Sequence, residues 1–353
     1  MAISSDVHSF PEFRFGIAEQ SAWGTANTTD AQIYEVYTTA TPQIAWNVIR
    51  DDVPRSDGLL IENETDRYVS QNGATPEVSI EGILTDKIVD LLVFSVMQDL
   101  ASEAATTPYL KTWQWDAGTT HMDYASNSGA GVGHGILLTL CLSSPATGES
   151  WYVKDAVCKS LTISSDPGSN GGRATFSATF MSGKNPVYSG SFTPGSWVSV
   201  GSDFYIHQSL NSKQLGGNDL VLYSQSITLE NGLAVSSFAS GEAEQYANAG
   251  GGKPYKVSGS LNVKYDANTK DIVDEIVTNP SAGAGEKALL IRWGDGSADG
   301  TLSIKAEAFI DGDVIVDPSD ERGAGLTIPW RGMYNGSDYS VQFLVANTID
   351  RGW

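Results

Sequence analysis

Apolar and polar residues alternate along much of the chain, and in two places the alternation leads directly into apolar residues at helical spacing. Residues 76–98, PEVSIEGILTDKIVDLLVFSVMQ, contain an alternating segment followed by an apolar stretch that begins at Ile88. Residues 254–280, PYKVSGSLNVKYDANTKDIVDEIVTNP, repeat this order in the second half. Period-two alternation is typical of a half-buried strand, and apolar spacing of three or four residues is typical of a helix. We therefore predict a strand and a short helix at the corresponding place in each half.

The order of the surrounding segments predicts two copies of one module. A long polar loop precedes each strand and helix, at residues 51–75 in the first half and 231–253 in the second, and closing strands follow. A chain of 353 residues is long enough for two domains of about 150 residues. Turn residues recur between short strand-like runs, so we predict a mainly β fold with few helices. The predicted units are an N-terminal module at residues 1–185, a partly packed linker at 186–217 and a C-terminal module at 218–353.

The formal net charge is −21, from 42 acidic and 21 basic residues. A protein that binds double-stranded DNA tightly needs a basic surface that displaces counterions, so this charge balance argues against tight, direct DNA binding. An acidic surface can still surround DNA without binding it, because like charges repel the DNA phosphates. The alternative, that the acidity only keeps the protein soluble, stays open.

The first residues, MAISSDVHSFPEF, lack the basic and apolar regions of a secretory signal, so we expect synthesis in a cytoplasm. The most apolar run, residues 88–97, is too short for a membrane span and contains Asp90. In a reducing compartment Cys141 and Cys158 are predicted to be small buried residues without a disulfide.

Nothing in the sequence predicts catalysis, a cofactor or a metal site. The chain has no nucleophile elbow, no phosphate-binding loop and no CxxC pair. Its acidic turns at residues 266–271 and 295–300 miss the EF-hand pattern, and we interpret them as ordinary Asx turns. The histidines lie far apart without ligand spacing, at His8, His121, His134 and His207.

Six phrases of the chain occur in an order and spacing that span nearly its whole length. They are FGIAEQSAWGTA at 15–26, the strand and helix at 78–97, CKSLTIS at 158–164, ATFSATF at 174–180, SQSITLENGL at 224–233 and GLTIPWRGMYNGSDYSVQFLVAN at 325–347. Together they resemble the major tail tube proteins of long-tailed, siphovirus-like bacteriophages. The first phrase looks like that family's entry segment, and SQSITLENGL resembles the phrase that opens its second half.

This resemblance implies two tandem tail-tube-type β-sandwich or half-barrel modules, each with a short flanking α-helix. The inner strands would join those of neighbouring subunits to form the wall of a hollow tube with an acidic lumen, through which genomic DNA passes during ejection. Three two-module copies would form a pseudo-sixfold ring, whereas six larger subunits would form the ring if one module is not a true repeat. The implied partners are further copies of the chain, a tape-measure protein, tail tip and tail terminator proteins, and DNA that is not tightly bound. The implied location is the virion tail, with assembly in the host cytoplasm and no membrane partner.

Two long loops are the predicted contacts between stacked rings. Residues 50–71 carry an apolar triplet on a charged arm, and an apolar patch on such an arm needs a partner surface. The alternative, that the triplet folds back on its own domain, stays open. The second loop, residues 232–252, is rich in Gly and Ala and acidic. The predicted contact residues are Arg50, Asp51, Asp52, Arg55, Leu59, Leu60, Ile61, Glu242, Glu244 and Tyr246.

The alternative from another functional class is a two-domain β-sandwich that binds carbohydrate or mediates adhesion. In such proteins exposed aromatic rings stack on sugars. The aromatic residues considered for this role are Trp113, Trp115, Trp330 and Tyr334, although Trp113 and Trp115 share one face of a predicted strand and are more typical of a core or an interface. A glycosidase would need a pair of carboxylates at a defined separation, and the sequence indicates no such pair. A head decoration or tail terminator protein would share the β fold but would cap a tube instead of forming one.

Overall fold

A computed structural model gives the fold of the chain, and for residues 44–52, 67–76, 234–236, 246–248, 276 and 277 it gives the backbone only. It describes residues 13–22, 24–40, 42–52, 67–117, 119, 136–144, 149–182, 184, 186–188, 192–200, 203–232, 234–236, 246–248, 254–278, 287–320, 323–336 and 338–353.

The fold is mainly β, with two short α-helices. The strands before residue 186 are β1 (Arg14–Glu19), β2 (Tyr34–Val36), β3 (Gln43–Asp52), β4 (Arg67–Ile83), β5 (Leu100–Glu103), β6 (Tyr109–Trp115), β7 (Leu138–Ser143), β8 (Ser150–Ser165) and β9 (Thr175–Met181). The later strands are β10 (Val187–Tyr188), β11 (Leu210–Leu215), β12 (Asn218–Asp219), β13 (Leu222–Glu230), β14 (Ala234–Ser236), β15 (Tyr246–Asn248), β16 (Lys256–Lys264), β17 (Lys287–Trp293), β18 (Thr301–Ile310), β19 (Ile315–Asp317), β20 (Gly325–Gly332) and β21 (Val341–Asn347). The helices are α1 (Val89–Met97) and α2 (Ala267–Thr278).

Nineteen of the strands belong to one connected antiparallel sheet, and β14 and β15 pair separately. One path through it runs in the spatial order β3, β4, β9, β8, β13, β16, β20 and β19, and we call this path the wall sheet. At β20 the sheet also continues into β18, and from β18 to β17 and β21. β8 pairs with β13, and β6 pairs with β21, so strands that precede residue 186 pair directly with strands that follow residue 217.

Helix α1 lies between two layers of strands. It contacts β8 and β13 of the wall sheet on one side, and β6 and β21 on the other. Every residue of α1 is buried, including Asp90 and Ser95. A short flanking helix is predicted here from the sequence, and its position is confirmed. Its environment differs, because a second layer also covers the face that would otherwise meet water, which fits an apolar composition on all sides.

Strand β8 bends at Asp155 and so belongs to two parts of the sheet. Its first residues pair with β7 and β10, and the residues after the bend pair with β9 and β13. Asp155 has a φ of 53°, in the left-handed region. One continuous strand with a bend therefore covers residues 150–165.

Other expectations from the sequence are confirmed. Trp113 and Trp115 are buried in the core, and Cys141 and Cys158 are buried free thiols. Asp266 accepts a hydrogen bond from the backbone N–H of Asn268 at 2.9 Å, which is the predicted Asx turn and precedes α2.

Candidate assembly surface

The wall sheet has two chemically different faces. Along β9, β8, β13, β16 and β20 the apolar residues point into the core, and the alternate residues reach the surface. Those surface residues are mostly hydroxylic, and we call this surface the hydroxyl face. Its hydroxyl residues are Ser79, Ser160, Thr162, Ser164, Thr175, Ser177, Thr179, Ser224, Ser226, Thr228, Ser258, Ser260 and Thr327.

Neighbouring strands continue this face across the boundary between the two halves. Thr162 Oγ1 on β8 and Thr228 Oγ1 on β13 lie 2.9 Å apart, and Ser164 Oγ and Thr175 Oγ1 lie 3.0 Å apart. Hydroxyl groups pair with one another or with water, so the face is polar without a strong field of one sign. Its described charged residues include four acids, Glu77, Glu81, Glu230 and Asp317, and three bases, Lys256, Lys264 and Arg331.

Both edges of the wall sheet are open in the described part of the chain. β3 pairs with β4 alone, and β19 pairs with β20 alone. On β19 the side chains of Ile315 and Val316 are 57% and 43% exposed. An open edge with exposed apolar side chains favours pairing with another strand unless charge, proline or a covering segment blocks it.

The two ends of the wall sheet also differ. At one end, the hairpin end, β3 and β4 continue as a two-stranded ribbon from the Trp46 and Pro76 pair to the Asp52 and Arg67 pair. Here β4 has left β9, which pairs only with residues 77–83. The connection from β13 to β16, which contains β14 and β15, leaves the sheet at the same end.

The opposite end, the turn end, carries a pocket of about 410 Å³ beside the turn from β8 to β9. Its lining is hydroxylic and amidic apart from one acid, Asp166, and one base, Arg173. The guanidinium of Arg173 lies 4.8 Å from the centre of the Phe204 ring, and this contact fixes its position at the rim.

A chain of hydrogen bonds orients the buried amide of Gln225 at this pocket. His207 Nε2 lies 3.0 Å from the carbonyl oxygen of Leu222, which can only accept, so Nε2 donates and Nδ1 accepts from Ser165 Oγ at 3.0 Å. Ser165 Oγ in turn accepts from Gln225 Nε2 at 3.4 Å. Gln225 Oε1 is then left as an acceptor without a hydrogen-bond partner among the described residues.

A buried ionic cluster connects the first half of the chain to its last residues. Asp90 on α1 accepts hydrogen bonds from Lys111 Nζ at 2.8 Å and from Arg351 Nε at 3.0 Å and Nη2 at 2.8 Å. Lys111 also donates to Asn347 Oδ1 at 3.2 Å and to the carbonyl of Ile349 at 2.9 Å. Burial raises the pKa of Asp90, but Arg351 and Lys111 outweigh it and hold that pKa well below its usual range.

The same cluster includes Glu19 and Trp353. Trp353 Nε1 donates to Glu19 Oε1 at 2.6 Å, and the Trp353 ring packs edge-on against Phe94 at 4.7 Å. Burial raises the pKa of Glu19 from 4.5 to about 7, and the indole hydrogen bond lowers it only in part. A cavity of about 450 Å³ next to Glu19 and Arg351 gives the carboxyl group access to solvent.

Within the described ranges, no group of three or more His, Cys, Asp and Glu side chains is arranged to hold a metal ion. Burial raises the pKa of both Cys141 and Cys158, so neither thiol is activated as a nucleophile. No helix in the described part of the chain is long and apolar enough to cross a membrane.

The predicted contact residues fall only partly within the described structure. Arg50, Asp51 and Asp52 lie on the ribbon strand β3, and Tyr246 lies on β15, each with the backbone described. The remaining residues lie outside the described residues: Arg55, Leu59, Leu60, Ile61, Glu242 and Glu244.

The hydroxyl face and the Asp90 cluster were not predicted from the sequence. The face has a sequence signal in the alternation of Ser or Thr with apolar residues, as in SLTIS at 160–164 and SQSITLE at 224–230. The cluster has no comparable signal, because Asp90, Lys111 and Arg351 are far apart in the chain and only the fold brings them together. No protein-family model matches the chain, and no curated protein has a significantly similar sequence.

Proposed function

We propose that this chain is the structural subunit of a phage tail tube and forms stacked rings, each of three copies with a pseudo-sixfold outline. The observation that carries the proposal is the wall sheet. It has a hydroxyl face on one side, buried apolar residues on the other, and, among the described residues, edge strands β3 and β19 that each pair with one strand. A sheet of this kind is suited to the wall of a larger barrel, because closure pairs the open edges and leaves the polar face inside.

The dimensions of the wall sheet fit this role. Three copies joined from β3 to β19 would place about 24 strands side by side at about 4.8 Å per strand. The circumference is then about 115 Å and the backbone diameter about 37 Å, and strand tilt widens it further. Such a barrel leaves room for a DNA duplex after side chains line the wall. The role is structural and needs no catalytic group or cofactor.

A wall rich in hydroxyl groups also suits the passage of DNA. Lysine and arginine side chains bind phosphates and release counterions, which slows a sliding polymer. The described charges on the hydroxyl face nearly balance, with four acids against three bases, so the acidic lumen rests on the net charge of −21 and stays a prediction. A tape-measure protein, tail tip and tail terminator proteins remain proposed partners, and the virion tail remains the proposed location.

Negative-stain electron microscopy over a concentration series, with polyethylene glycol as a crowding agent, tests the proposal. We expect hollow rings or tubes whose class averages show three subunits in a six-lobed outline. Six subunits per ring would keep the function and contradict the duplicated module. Monomers under every condition would contradict a self-assembling tube subunit.

One observation favours the alternative of a carbohydrate-binding or adhesion module. Trp151 and Tyr188 are 36% and 44% exposed and meet edge to face, with ring centres 5.2 Å apart. In contrast, Trp113, Trp115 and Trp330 are buried and are not available for stacking on sugars. Glycan-array binding that is lost in Trp151→Ala, by a protein that forms no rings, would support this alternative.

A further inference from the structure

Three buried side chains of the Asp90 cluster bring an amine, an amide and a carboxylate within hydrogen-bond distance of one another. Lys111 Nζ donates to Asn347 Oδ1 at 3.2 Å, and Asp90 Oδ2 lies 2.8 Å from Lys111 Nζ and 3.4 Å from Asn347 Nδ2. We propose that Lys111 and Asn347 form an intramolecular isopeptide bond, with Asp90 as the catalytic residue, so that the chain cross-links itself after it folds. This inference is independent of the proposed tube function.

The hydrogen bonds of Asn347 orient its amide for attack. Nδ2 donates to the carbonyl oxygen of Asp86 at 3.0 Å, and since a carbonyl oxygen can only accept, this contact fixes which end of the amide is nitrogen. Oδ1 accepts from Lys111 Nζ and from the backbone N–H of Ile349 at 3.2 Å. Negative charge develops on this oxygen when an amine adds to the amide carbon, and a backbone N–H directed at it stabilises that charge.

The reaction exchanges one amide nitrogen for another. Asp90 accepts a proton from the Lys111 ammonium group, and the neutral amine then adds to Cγ of Asn347. A bond forms between Nζ and Cγ, and the bond between Cγ and Nδ2 breaks. Asp90 contacts both nitrogen atoms, so it passes protons from Nζ to Nδ2, which leaves as ammonia and becomes ammonium in water. A lysine ammonium and an amide thus give a secondary amide and an ammonium ion, without an oxidant or a cofactor.

The surroundings favour this exchange over hydrolysis of the amide. Asp90, Lys111 and Asn347 have no exposed surface, and Lys111 Nζ lies 5.0 Å from the centre of the Trp353 ring. Two groups held in fixed contact react as if each were present at a very high concentration. Water, the competing nucleophile, is kept out by the same burial.

Charge balance also favours the cross-linked product. Two buried cations, Lys111 and Arg351, contact the single carboxylate of Asp90. The bond removes the lysine charge and leaves Asp90 paired with Arg351, which avoids a buried charge without compensation. The two cations hold the pKa of Asp90 well below its usual range. The neutral amine is therefore a minor species, and the bond forms more slowly than the protein folds.

The position of the bond gives it a structural consequence. Lys111 lies on β6 and Asn347 ends β21, and this strand pair connects the first half of the chain with the second. The two residues are 236 positions apart, so the bond closes a loop that contains most of the chain. Closing a loop of this length removes conformational freedom from the unfolded state, so the cross-linked protein resists unfolding.

Intact-protein mass spectrometry of the full-length native protein tests the proposal. After incubation of the folded protein at neutral pH, we expect each chain to be lighter than its sequence by one ammonia. Trypsin does not cleave after an acylated lysine, so the digest should contain a branched peptide that joins Lys111 to Asn347. The full sequence mass would overturn the proposal. An ammonia loss with linear peptides from both regions, as a succinimide at the exposed Asn335–Gly336 step gives, would overturn it as well.

Two substitutions separate the chemistry from the fold, and circular dichroism verifies that each variant is folded. Asn347→Ser removes the amide, so we expect the full sequence mass and no branched peptide. Asp90→Asn keeps the amine and the amide but removes the proton acceptor, and should slow bond formation at least about a hundredfold. The matched control is Asn268→Ser, at an exposed asparagine on α2, which should lose ammonia like the native protein. A folded Asn347→Ser protein that still loses ammonia would contradict the assignment, and the native measurement decides alone where a variant does not fold.

Discussion

At the scale of single residues, buried charge is the most unusual feature of this core. Asp90, Lys111 and Arg351 are almost fully buried, and Asp90 accepts charged hydrogen bonds from both cations. A buried ion pair adds little net stability over a well-packed apolar pair, but removing one partner leaves the other charge without compensation. The cluster therefore specifies where the last residues lie against α1.

Replacement of Lys111 by Met should destabilise the protein by about 3 kcal/mol, because Asp90 loses one of its two cations and Asn347 and Ile349 lose a donor. Chemical denaturation measures the change in the free energy of unfolding. The matched control is Lys270→Met, which removes a fully exposed ion pair with Asp274 and should change stability little. Equal effects of both substitutions would contradict a structural role for the buried cluster.

Glu19 should make stability depend on pH. Its pKa is about 7 in the folded protein and 4.5 when exposed, so the folded state holds the proton more tightly. The contribution of Glu19 to the free energy of unfolding is complete below pH 4.5, declines as the pH rises to about 7, and is then constant. The total change is at most about 3 kcal/mol. Glu19→Gln keeps an acceptor for Trp353 Nε1 and should remove this slope.

Unfolding free energies of the native protein and Glu19→Gln between pH 4.5 and 8 measure the difference. Burial also raises the pKa of Asp86 to about 6, and that group titrates in both proteins, so its contribution cancels. Parallel pH profiles of the two proteins would show that Glu19 ionises at its ordinary pKa.

At the scale of secondary-structure elements, local pattern accounts for what the sequence could predict. Alternation located β6, β16 and the second part of β4, and helical spacing located both helices. Residues 67–75, predicted as part of a long polar loop, instead form the first part of β4. Pattern cannot reveal that α1 is covered on both sides, since the second layer comes from β6 and β21 at distant positions in the chain. The alternation pattern also cannot reveal the bend in β8. That bend depends on the positive φ of Asp155 and on the loop at Gly24, whose backbone N–H contacts the Asp155 side chain.

That bend supplies a prediction for Asp155. Its side chain accepts hydrogen bonds from Gln20 Nε2 at 2.7 Å and from the backbone N–H of Gly24 at 2.9 Å, at a φ of 53°. Asp155→Ala should cost about 2 kcal/mol, because it strains the backbone and leaves buried donors unpaired. Asp155→Asn adopts the same φ more easily and keeps one acceptor oxygen, so it should retain most of the stability. Thermal unfolding of both variants measures the difference, and equal losses would contradict this account of the bend.

At the scale of the whole molecule, the lateral edges of the wall sheet control assembly in the proposed tube. At one of these edges, Ile315 and Val316 expose apolar surface on the short strand β19. Lysine on an edge strand opposes pairing with another chain, since its charge would have to be buried at the join.

The double substitution Ile315→Lys and Val316→Lys should therefore leave the folded monomer intact and abolish ring formation. Both side chains are already largely exposed, so the free energy of unfolding should change by less than about 0.5 kcal/mol. Analytical ultracentrifugation over a concentration series should show a monomer where the native protein forms rings. Val221→Lys is the matched control, because Val221 is 48% exposed but lies outside β19. Rings that form normally with the lysine edge would show that β19 does not join subunits and that the wall closes through another strand.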